Sequence, residues 1–145
     1  MAHVLGDYAG HRYSALAEIH RGNVARLKPV WMYQTNDLNQ FEVTPLVADG
    51  VMCISEPPSH AAVLDLRTGR PLWMFRRAVP SDVHTCCGQV NRGVAILGDT
   101  VFLGTLDAHL LALDAKTGTC CGTRRSRTTK PAIRSRPLRW HCATR

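Results

Sequence analysis

The chain has 145 residues, which is enough for one ordinary domain, and its 45% hydrophobic content could support a core. Its net charge of +7 would normally favour nucleic acid or an anionic surface as a partner. Eight basic residues, however, lie between Thr119 and Arg145, where there is no Asp or Glu, and this leaves ten basic against eleven acidic side chains before them. The basic character therefore belongs to the tail and does not indicate a nucleic-acid-binding domain.

The first predicted elements are short helical turns within residues 14–27. Ser14 is a suitable N-cap, and apolar residues follow at loosely helical spacing, interrupted by Gly22. From Phe41 onward, short β-rich runs alternate with turn residues. These runs are TPLVADG, VMCIS, AAVLDLRTG, PLWMF, VAILGDT, VFLGT and HLLALDAKTG. The pattern predicts a meander of antiparallel strands in an all-β fold.

The strand-rich region contains an internal repeat. VLDLRTG at 63–69 matches ALDAKTG at 112–118, so Gly69 recurs as Gly118 after 49 residues. A strand-built repeat of this length is typical of propeller blades. In each copy an Asp (Asp65, Asp114) is expected to cap a turn that the Gly closes with positive φ. Trp73 follows the first copy, where we expect it to pack between blades.

The six cysteines do not match a zinc pattern, because none has Cys-x2-Cys spacing. They form two adjacent pairs and two isolated residues: Cys86 and Cys87, Cys120 and Cys121, Cys53 and Cys142. Adjacent Cα atoms lie about 3.8 Å apart, whereas an ordinary disulfide needs roughly 4.4–6.8 Å. The pair in DVHTCCGQVNRG is therefore either two reduced thiols or a strained, functional bridge, and the pair alone does not decide between them.

The second repeat should place Trp at position 122, but Gly122 stands there and the β pattern ends at Gly118. In the neighbouring reading frame, the last base of the Cys120 codon and the first two bases of the Cys121 codon together must encode Leu. The next shifted codon, across Cys121 and Gly122, must encode Arg or Trp. With permitted choices, the shifted tail reads LLWDAEVADYKAGYSITAAPLAL. We therefore expect a single lost base near codons 118 and 119. The alternative is a natural basic tail for nucleic acid or membrane, although one Trp is too little for a stacking platform.

These observations predict residues 1–118 as the β-rich unit and 119–145 as a disordered basic tail. About two blades cannot close a ring, so we expect a marginal, aggregation-prone protein. No run approaches the roughly 18 apolar residues of a membrane span. The start MAHVLGDYAG lacks the features of a secretory signal, which predicts a cytoplasmic location for the chain as written.

Several segments together resemble the N-terminal part of the quinoprotein alcohol dehydrogenases, the methanol and ethanol dehydrogenase family that depends on pyrroloquinoline quinone (PQQ). They are GDYAGHRYSAL, NVARLKPVW, FEVTPLVADGVM, the two DxxTG turns and CCGQVNRG. The resemblance implies about two blades of an eight-bladed propeller, with PQQ on its axis and calcium or a lanthanide beside the quinone. It also implies a periplasmic family that oxidises primary alcohols and passes electrons to cytochrome c.

The resemblance also implies the roles of four residues in cofactor binding. Cys86 and Cys87 would form a vicinal disulfide that lies flat against one face of PQQ. Arg92 would pair with a PQQ carboxylate or quinone oxygen, and Glu42 would hydrogen-bond the cofactor edge. In the alternative interpretation, Glu42 and Arg92 are only solvated surface charges.

The catalytic Asp and the metal ligands of such enzymes lie in later blades, so no catalytic or metal-binding residue is assigned here. In particular, Asp99, Asp107 and Asp114 are not given these roles. The chain is thus interpreted as an N-terminal fragment of a PQQ-dependent alcohol dehydrogenase, inactive alone. The alternatives are a non-enzymatic binding module built from similar repeats and, on the tail alone, a basic nucleic-acid-binding protein. The sequence does not identify the alcohol.

Overall fold

A computed structural model describes residues 15–35, 37–85 and 88–126 of the chain. A single 3₁₀ turn, Val24–Arg26, precedes eight strands. The strands are β1 (Leu46–Ala48), β2 (Val51–Glu56), β3 (His60–Asp65), β4 (Pro71–Phe75), β5 (Val94–Leu97), β6 (Thr100–Gly104), β7 (His109–Asp114) and β8 (Cys120–Arg125). The predicted all-β class is confirmed.

The strands form two four-stranded antiparallel sheets, each with its strands in chain order. β1 to β4 make the first sheet and β5 to β8 the second. Short turns connect neighbours, because antiparallel strands need only a hairpin between them. Two consecutive meanders of this kind are the two blades that the repeat predicts.

The register of the two sheets confirms the 49-residue repeat. Val63 on β3 lies opposite Trp73, and Ala112 on β7 lies opposite Gly122. A register shift follows at the next residue in both sheets, between Val63 and Leu64 and between Ala112 and Leu113. Gly122 therefore occupies the position in the second sheet that Trp73 occupies in the first.

The main hydrophobic core lies between the two sheets. The first sheet contributes one face of β1 to β4, and the second contributes the facing side of β6 and β7. The buried members are Leu46, Cys53, Ala61, Val63, Trp73, Val101, Leu103, Leu111 and Leu113. Ile54, Ala62 and Leu64 point to the other face of the first sheet, where Trp31, Tyr33 and Val43 pack against them. The first sheet is thus covered on both faces, which fits its long apolar runs.

Trp73 packs between the blades, as predicted. Its indole Nε1 donates to the Ala115 carbonyl at 2.9 Å in the turn after β7. Trp31 makes the matching contact one blade earlier, where its Nε1 donates to the Leu66 carbonyl at 2.8 Å. The sequence pattern did not predict this role for Trp31. Because each indole donates a hydrogen bond to a DxxTG turn, these turns are the places where each blade is bound to the segment that precedes it.

The two DxxTG turns have the predicted construction. Asp65 Oδ1 accepts from both the backbone amide and the hydroxyl of Thr68, each at 2.7 Å. Asp114 Oδ1 accepts the same pair of bonds from Thr117, at 2.8 and 2.9 Å. The glycines that close the turns have φ of +70° and +71°. Each turn is therefore stabilised by hydrogen bonds from its own side chains, in addition to its contact with a tryptophan.

The structure differs from the predicted boundary at Gly118, because residues 120–125 pair with β7 as β8. The physical reason is that strand pairing uses backbone groups, whatever the side chains are. The side chains of β8 are mostly exposed and none is fully buried. An edge strand can thus form without a β-rich apolar run of the kind that predicted the other seven. The rest of the predicted tail, from residue 127, lies outside the described residues.

The predicted helical region is smaller in the structure than its pattern suggested. The 3₁₀ turn begins after Asn23, whose side chain accepts from the His20 amide at 2.8 Å and donates to the Glu18 carbonyl at 2.7 Å. None of the turn's three residues is buried. The proposed cap, Ser14, lies outside the described residues. Within the described ranges, no helix is long and apolar enough to cross a membrane.

Candidate cofactor-binding site

An open pocket of about 420 Å³ lies where the first strands of the two sheets meet. Its walls come from the segment before β1, the loop that leads into β5, and the end of β6 with the turn that follows. The lining residues are Thr44, Val90, Asn91, Arg92, Gly93, Val94, Gly104, Thr105 and Leu106. A backbone bond from the Thr44 amide to the Arg92 carbonyl (3.4 Å) joins two of these walls. The pocket therefore depends on the packing of both sheets.

Two of the predicted site residues meet at this pocket. The Arg92 guanidinium lies 3.0 Å from a Glu42 carboxylate oxygen. The Arg92 side chain is 77% exposed and that of Glu42 is 41% exposed. The two residues are separated by 50 positions in the sequence, and the packing of the segments before β1 and β5 brings them together. A guanidinium has five N–H donors, so one carboxylate leaves donors available for a second anionic group.

The loop that carries Arg92 is held by its neighbour Asn91, which is buried. Asn91 Nδ2 donates to the Gly104 carbonyl at 2.8 Å, and Oδ1 accepts from the Gly93 amide at 3.2 Å. Gly93 has a φ of +136°, which a residue with a side chain rarely adopts. Asn91 and Gly93 therefore fix the backbone on both sides of Arg92.

Cys86 and Cys87, the predicted cofactor-facing pair, lie outside the described residues. The residues that flank them are described. Thr85 Oγ1 donates to the Gly88 carbonyl at 2.7 Å, across the pair. Gly88 has a φ of +83°, and a Cβ there would lie 3.0 Å from Gln40 Oε1. Gly88 therefore lies against Gln40, in the segment that leads to Glu42.

A polar network behind the pocket joins the two sheets. Arg77, which follows β4, donates to Asp107 at 2.7 Å, and Asp107 Oδ2 lies 3.1 Å from His109 Nδ1. Asp107 also accepts from the hydroxyl of Thr105, a pocket-lining residue. The hydrogen bond from Arg77 holds the pKa of Asp107 well below its usual range. This network ties one pocket wall to the first sheet.

Each of the three aspartates that received no catalytic role from the sequence makes a contact that supports the fold. Asp107 is in the inter-sheet network, and Asp114 caps its turn. The Asp99 carbonyl accepts from the Ala115 amide at 2.9 Å. Among the described residues, no group of three or more His, Cys, Asp or Glu side chains is arranged to hold a metal ion.

The structure brings together Glu42 and Arg92, which the sequence assigned to the predicted site, whereas Asn91 and Thr105 were not singled out from the sequence. The motif VNRG contains Asn91 in the loop before β5, yet its partner Gly104 lies 13 residues away at the end of β6. Thr105 ends a β-rich run and resembles any strand-end residue. No local pattern distinguishes either residue, because their roles come from the packing of the loop against β6.

A family model described as "PQQ: Glucose/ethanol/alcohol dehydrogenase, beta-propeller domain" matches residues 2–123. A 1-butanol dehydrogenase (cytochrome c) of Thauera butanivorans is 45% identical over 114 residues, which cover 77% of this chain and 16% of that protein. The chain therefore spans about a sixth of the length of this curated relative.

Two solved structures are similar to the chain in fold as well as sequence. The quinohemoprotein alcohol dehydrogenase ADHIIG of Pseudomonas putida HK5 superposes with a TM-score of 0.80 at 38% identity, covering 87% of this chain and 19% of that one. A europium-containing methanol dehydrogenase gives a TM-score of 0.81 at 33% identity, covering 87% and 23%. The likeness thus extends over most of this chain and a small part of each of those proteins.

Proposed function

This chain belongs to the PQQ β-propeller domain family of glucose, ethanol and alcohol dehydrogenases, and on that premise we propose that its pocket is part of a PQQ-binding site. The observation that carries the proposal is the Glu42–Arg92 pair beside the open pocket. It joins two residues that the family resemblance assigns to the cofactor. The chain corresponds to a partial propeller of such an enzyme.

The chemistry of the pocket fits this cofactor. PQQ is a planar quinone that carries carboxylates, and a guanidinium binds carboxylates through parallel N–H donors. Arg92 is sufficiently exposed to meet a ligand, while Glu42 limits the directions in which its guanidinium can point. The pocket lining includes Gly93 and Gly104, which have no side chains and so leave room for a flat ring. The proposed residues therefore match the charge and shape of the group.

Cys86 and Cys87 complete the proposal as a vicinal disulfide that lies against one face of the ring. The support is their place in the motif, directly after Thr85 and before Gly88. Thr85 Oγ1 donates to the Gly88 carbonyl, and Gly88 lies beside Gln40 in the segment that leads to Glu42. In the proposed site, Arg92 contacts an acidic edge and the cysteine pair covers a face.

PQQ, when bound, would supply the two-electron acceptor for oxidation of a primary alcohol to an aldehyde in the enzyme of which this chain would be a part. The residues of this chain would bind and orient the cofactor: Arg92 would donate hydrogen bonds to one of its carboxylates, and Glu42 would hold Arg92 in place. The base, and the ligands of a calcium or lanthanide ion, are proposed to come from other blades. Cytochrome c as electron acceptor and a periplasmic location are proposed on the family resemblance.

A titration of the purified chain with PQQ, followed by equilibrium dialysis, tests the proposal. We expect saturable binding that Arg92→Ala weakens about 10- to 100-fold, since a hydrogen bond to a charged group contributes about 1.5–3 kcal/mol. Arg70→Ala is the matched control, because Arg70 is also an exposed arginine but directly follows the first DxxTG turn and does not line the pocket. Equal affinities of the wild type and Arg92→Ala would contradict the proposal.

A further inference from the structure

We propose that Asn91 is the positioning residue for Arg92, and that its buried amide orients the guanidinium that receives the cofactor. The inference rests on the proposed function, because it assigns Arg92 to a PQQ-binding site. Asn91 is 8% exposed and therefore does not itself present a charge or a large surface to a ligand. It acts through the backbone that it holds.

Both polar atoms of the Asn91 side-chain amide form hydrogen bonds, and the two sites require one donor and one acceptor. Nδ2 donates to the Gly104 carbonyl on β6 at 2.8 Å, while Oδ1 accepts from the Gly93 amide at 3.2 Å. Aspartate could accept from Gly93 but could not donate to Gly104, and a leucine could do neither. The site is therefore matched to an amide and to no other side chain of that size.

The Asn91 backbone is held from the opposite side. Its carbonyl accepts from the hydroxyl of Ser55, a fully buried residue on β2, at 3.4 Å. Asn91 thus connects the loop to β2 of the first sheet and to β6 of the second. Since these are different blades, the loop is fixed relative to both walls of the pocket.

Arg92 needs such an anchor, because its own side chain has little packing. It is 77% exposed and its ionic partner among the described residues is Glu42. The next residue, Gly93, is confined as well: a Cβ there would lie 3.3 Å from the Thr44 carbonyl. Because Asn91 and Gly93 are fixed, the direction in which the Arg92 side chain leaves the backbone is set before a ligand binds. Such preorganisation lowers the ordering cost of binding.

A double-mutant cycle on PQQ affinity tests the proposal. Asn91→Ala should weaken binding about tenfold in the wild-type chain but less than about twofold in the Arg92→Ala background. The reason is that a positioning residue has no effect once the residue that it positions is removed. A merely structural role would weaken binding equally in both backgrounds, and that result would overturn the proposal.

Ser55→Ala provides a second variant that keeps the test decisive if Asn91→Ala does not fold. It removes the bond to the Asn91 carbonyl alone, and we expect about threefold weaker binding that again depends on Arg92. The matched control is Asn39→Ala, because the Asn39 amide is exposed and bonds to Asp37. A Ser55→Ala effect that persists without Arg92 would overturn the proposal.

Hydrogen exchange of the cofactor-free chain separates failure of this inference from failure of the proposed function. The Thr44 amide donates to the carbonyl of Arg92, the residue that Asn91 is proposed to position. Faster exchange at Thr44 in Asn91→Ala supports the positioning role, and unchanged exchange overturns it, whether or not PQQ binds. Absence of PQQ binding to the wild-type chain would instead refute the proposed function.

Discussion

The indole of Trp73 lies directly over Gly118: a Cβ added to Gly118 would come within 2.5 Å of the ring. Trp31 and Gly69 have the same relationship, also at 2.5 Å. In each pair a tryptophan from one unit covers the glycine of the DxxTG turn in the next. Glycine is thus required at this position for two reasons: the backbone has positive φ, and the tryptophan ring leaves no room for a Cβ.

Gly118→Ala should therefore destabilise the chain more than a matched glycine substitution. Gly50→Ala is the control, since Gly50 has a similar φ of +77° but a Cβ added there would have no atom within 4 Å. The backbone cost of positive φ is roughly 1–2 kcal/mol in both variants. Contact with Trp73 should add about 1–3 kcal/mol in Gly118→Ala alone.

Urea unfolding of the two variants measures this difference. Equal losses of unfolding free energy would contradict the ring contact. Combining Gly118→Ala with Trp73→Ala should cost less than the sum of the two single changes, because one removes the contact that the other disturbs.

The Asp107 network predicts a loss of stability in acid. The hydrogen bond from Arg77, and the weaker contributions of Thr105 and His109, lower the pKa of Asp107 below its ordinary value of 3.8. A lowered carboxyl pKa adds stability that is complete above the ordinary value and is lost as the pH falls through the folded-state value. The wild type should therefore lose more stability below about pH 4 than Asp107→Asn does.

Urea unfolding of both proteins at neutral and acid pH checks this prediction. At neutral pH we expect Asp107→Asn to be about 2 kcal/mol less stable, because it removes a charged hydrogen bond that is largely buried. Asp65 and Asp114, whose pKa values are also lowered, remain in both proteins and cancel in the comparison. Parallel pH profiles would contradict the role of the network.

The raised pKa of Tyr33 predicts that the chain also loses stability at alkaline pH. Burial, with a hydrogen bond to Glu56 at 2.8 Å, raises the pKa of Tyr33 to about 12 from an ordinary value of 10.0. Stability from a raised pKa is complete below the ordinary value and is lost as the pH rises from about 10 to about 12. Tyr33→Phe should lack this loss, because phenylalanine does not ionise.

Near-ultraviolet absorbance of tyrosinate and urea unfolding, followed together over this pH range, check the prediction. The difference between the wild type and Tyr33→Phe isolates Tyr33 from the other tyrosines. An ionisation near pH 10 that is assigned to Tyr33 by this difference would contradict the burial of its hydroxyl.

Gly122 supports the expected reading-frame change, since it stands in the register position of Trp73. Resequencing codons 115 to 145 and the following region should reveal one further base near codons 118 and 119. The corrected frame should read LLW, with Trp at position 122, and continue into more DxxTG turns. Confirmation of the frame as written, with no such turns beyond it, would contradict this prediction.

The sequence was sufficient to predict the first seven strands, because each is a β-rich apolar run bounded by turn residues. It did not predict β8, whose pairing depends on backbone groups while its side chains remain largely exposed. Trp31 was missed because it lies outside both copies of the repeat. Its partner, the Leu66 carbonyl, is 35 residues away and becomes adjacent only in the fold.

The proposed site shows the same division between what a motif indicates and what the fold adds. Glu42 and Arg92 could be assigned from motif resemblance, but their ion pair depends on how the segments before β1 and β5 meet. The supporting residue Asn91 is recognised only from its burial and its two-sided hydrogen bonding. Residue types can thus be assigned from motifs, whereas the contacts that orient them require the packed blades.

Backbone amide chemical shifts of the chain, recorded by NMR as PQQ is added, test the central claim most directly. We expect saturable shifts concentrated at the pocket: Thr44, residues 90–94 and residues 104–106. The amides of β8, which carries Arg124 and Arg125 at the far edge of the second sheet, should change little. Shifts concentrated on β8, or no shifts at all, would contradict a PQQ site between the blades.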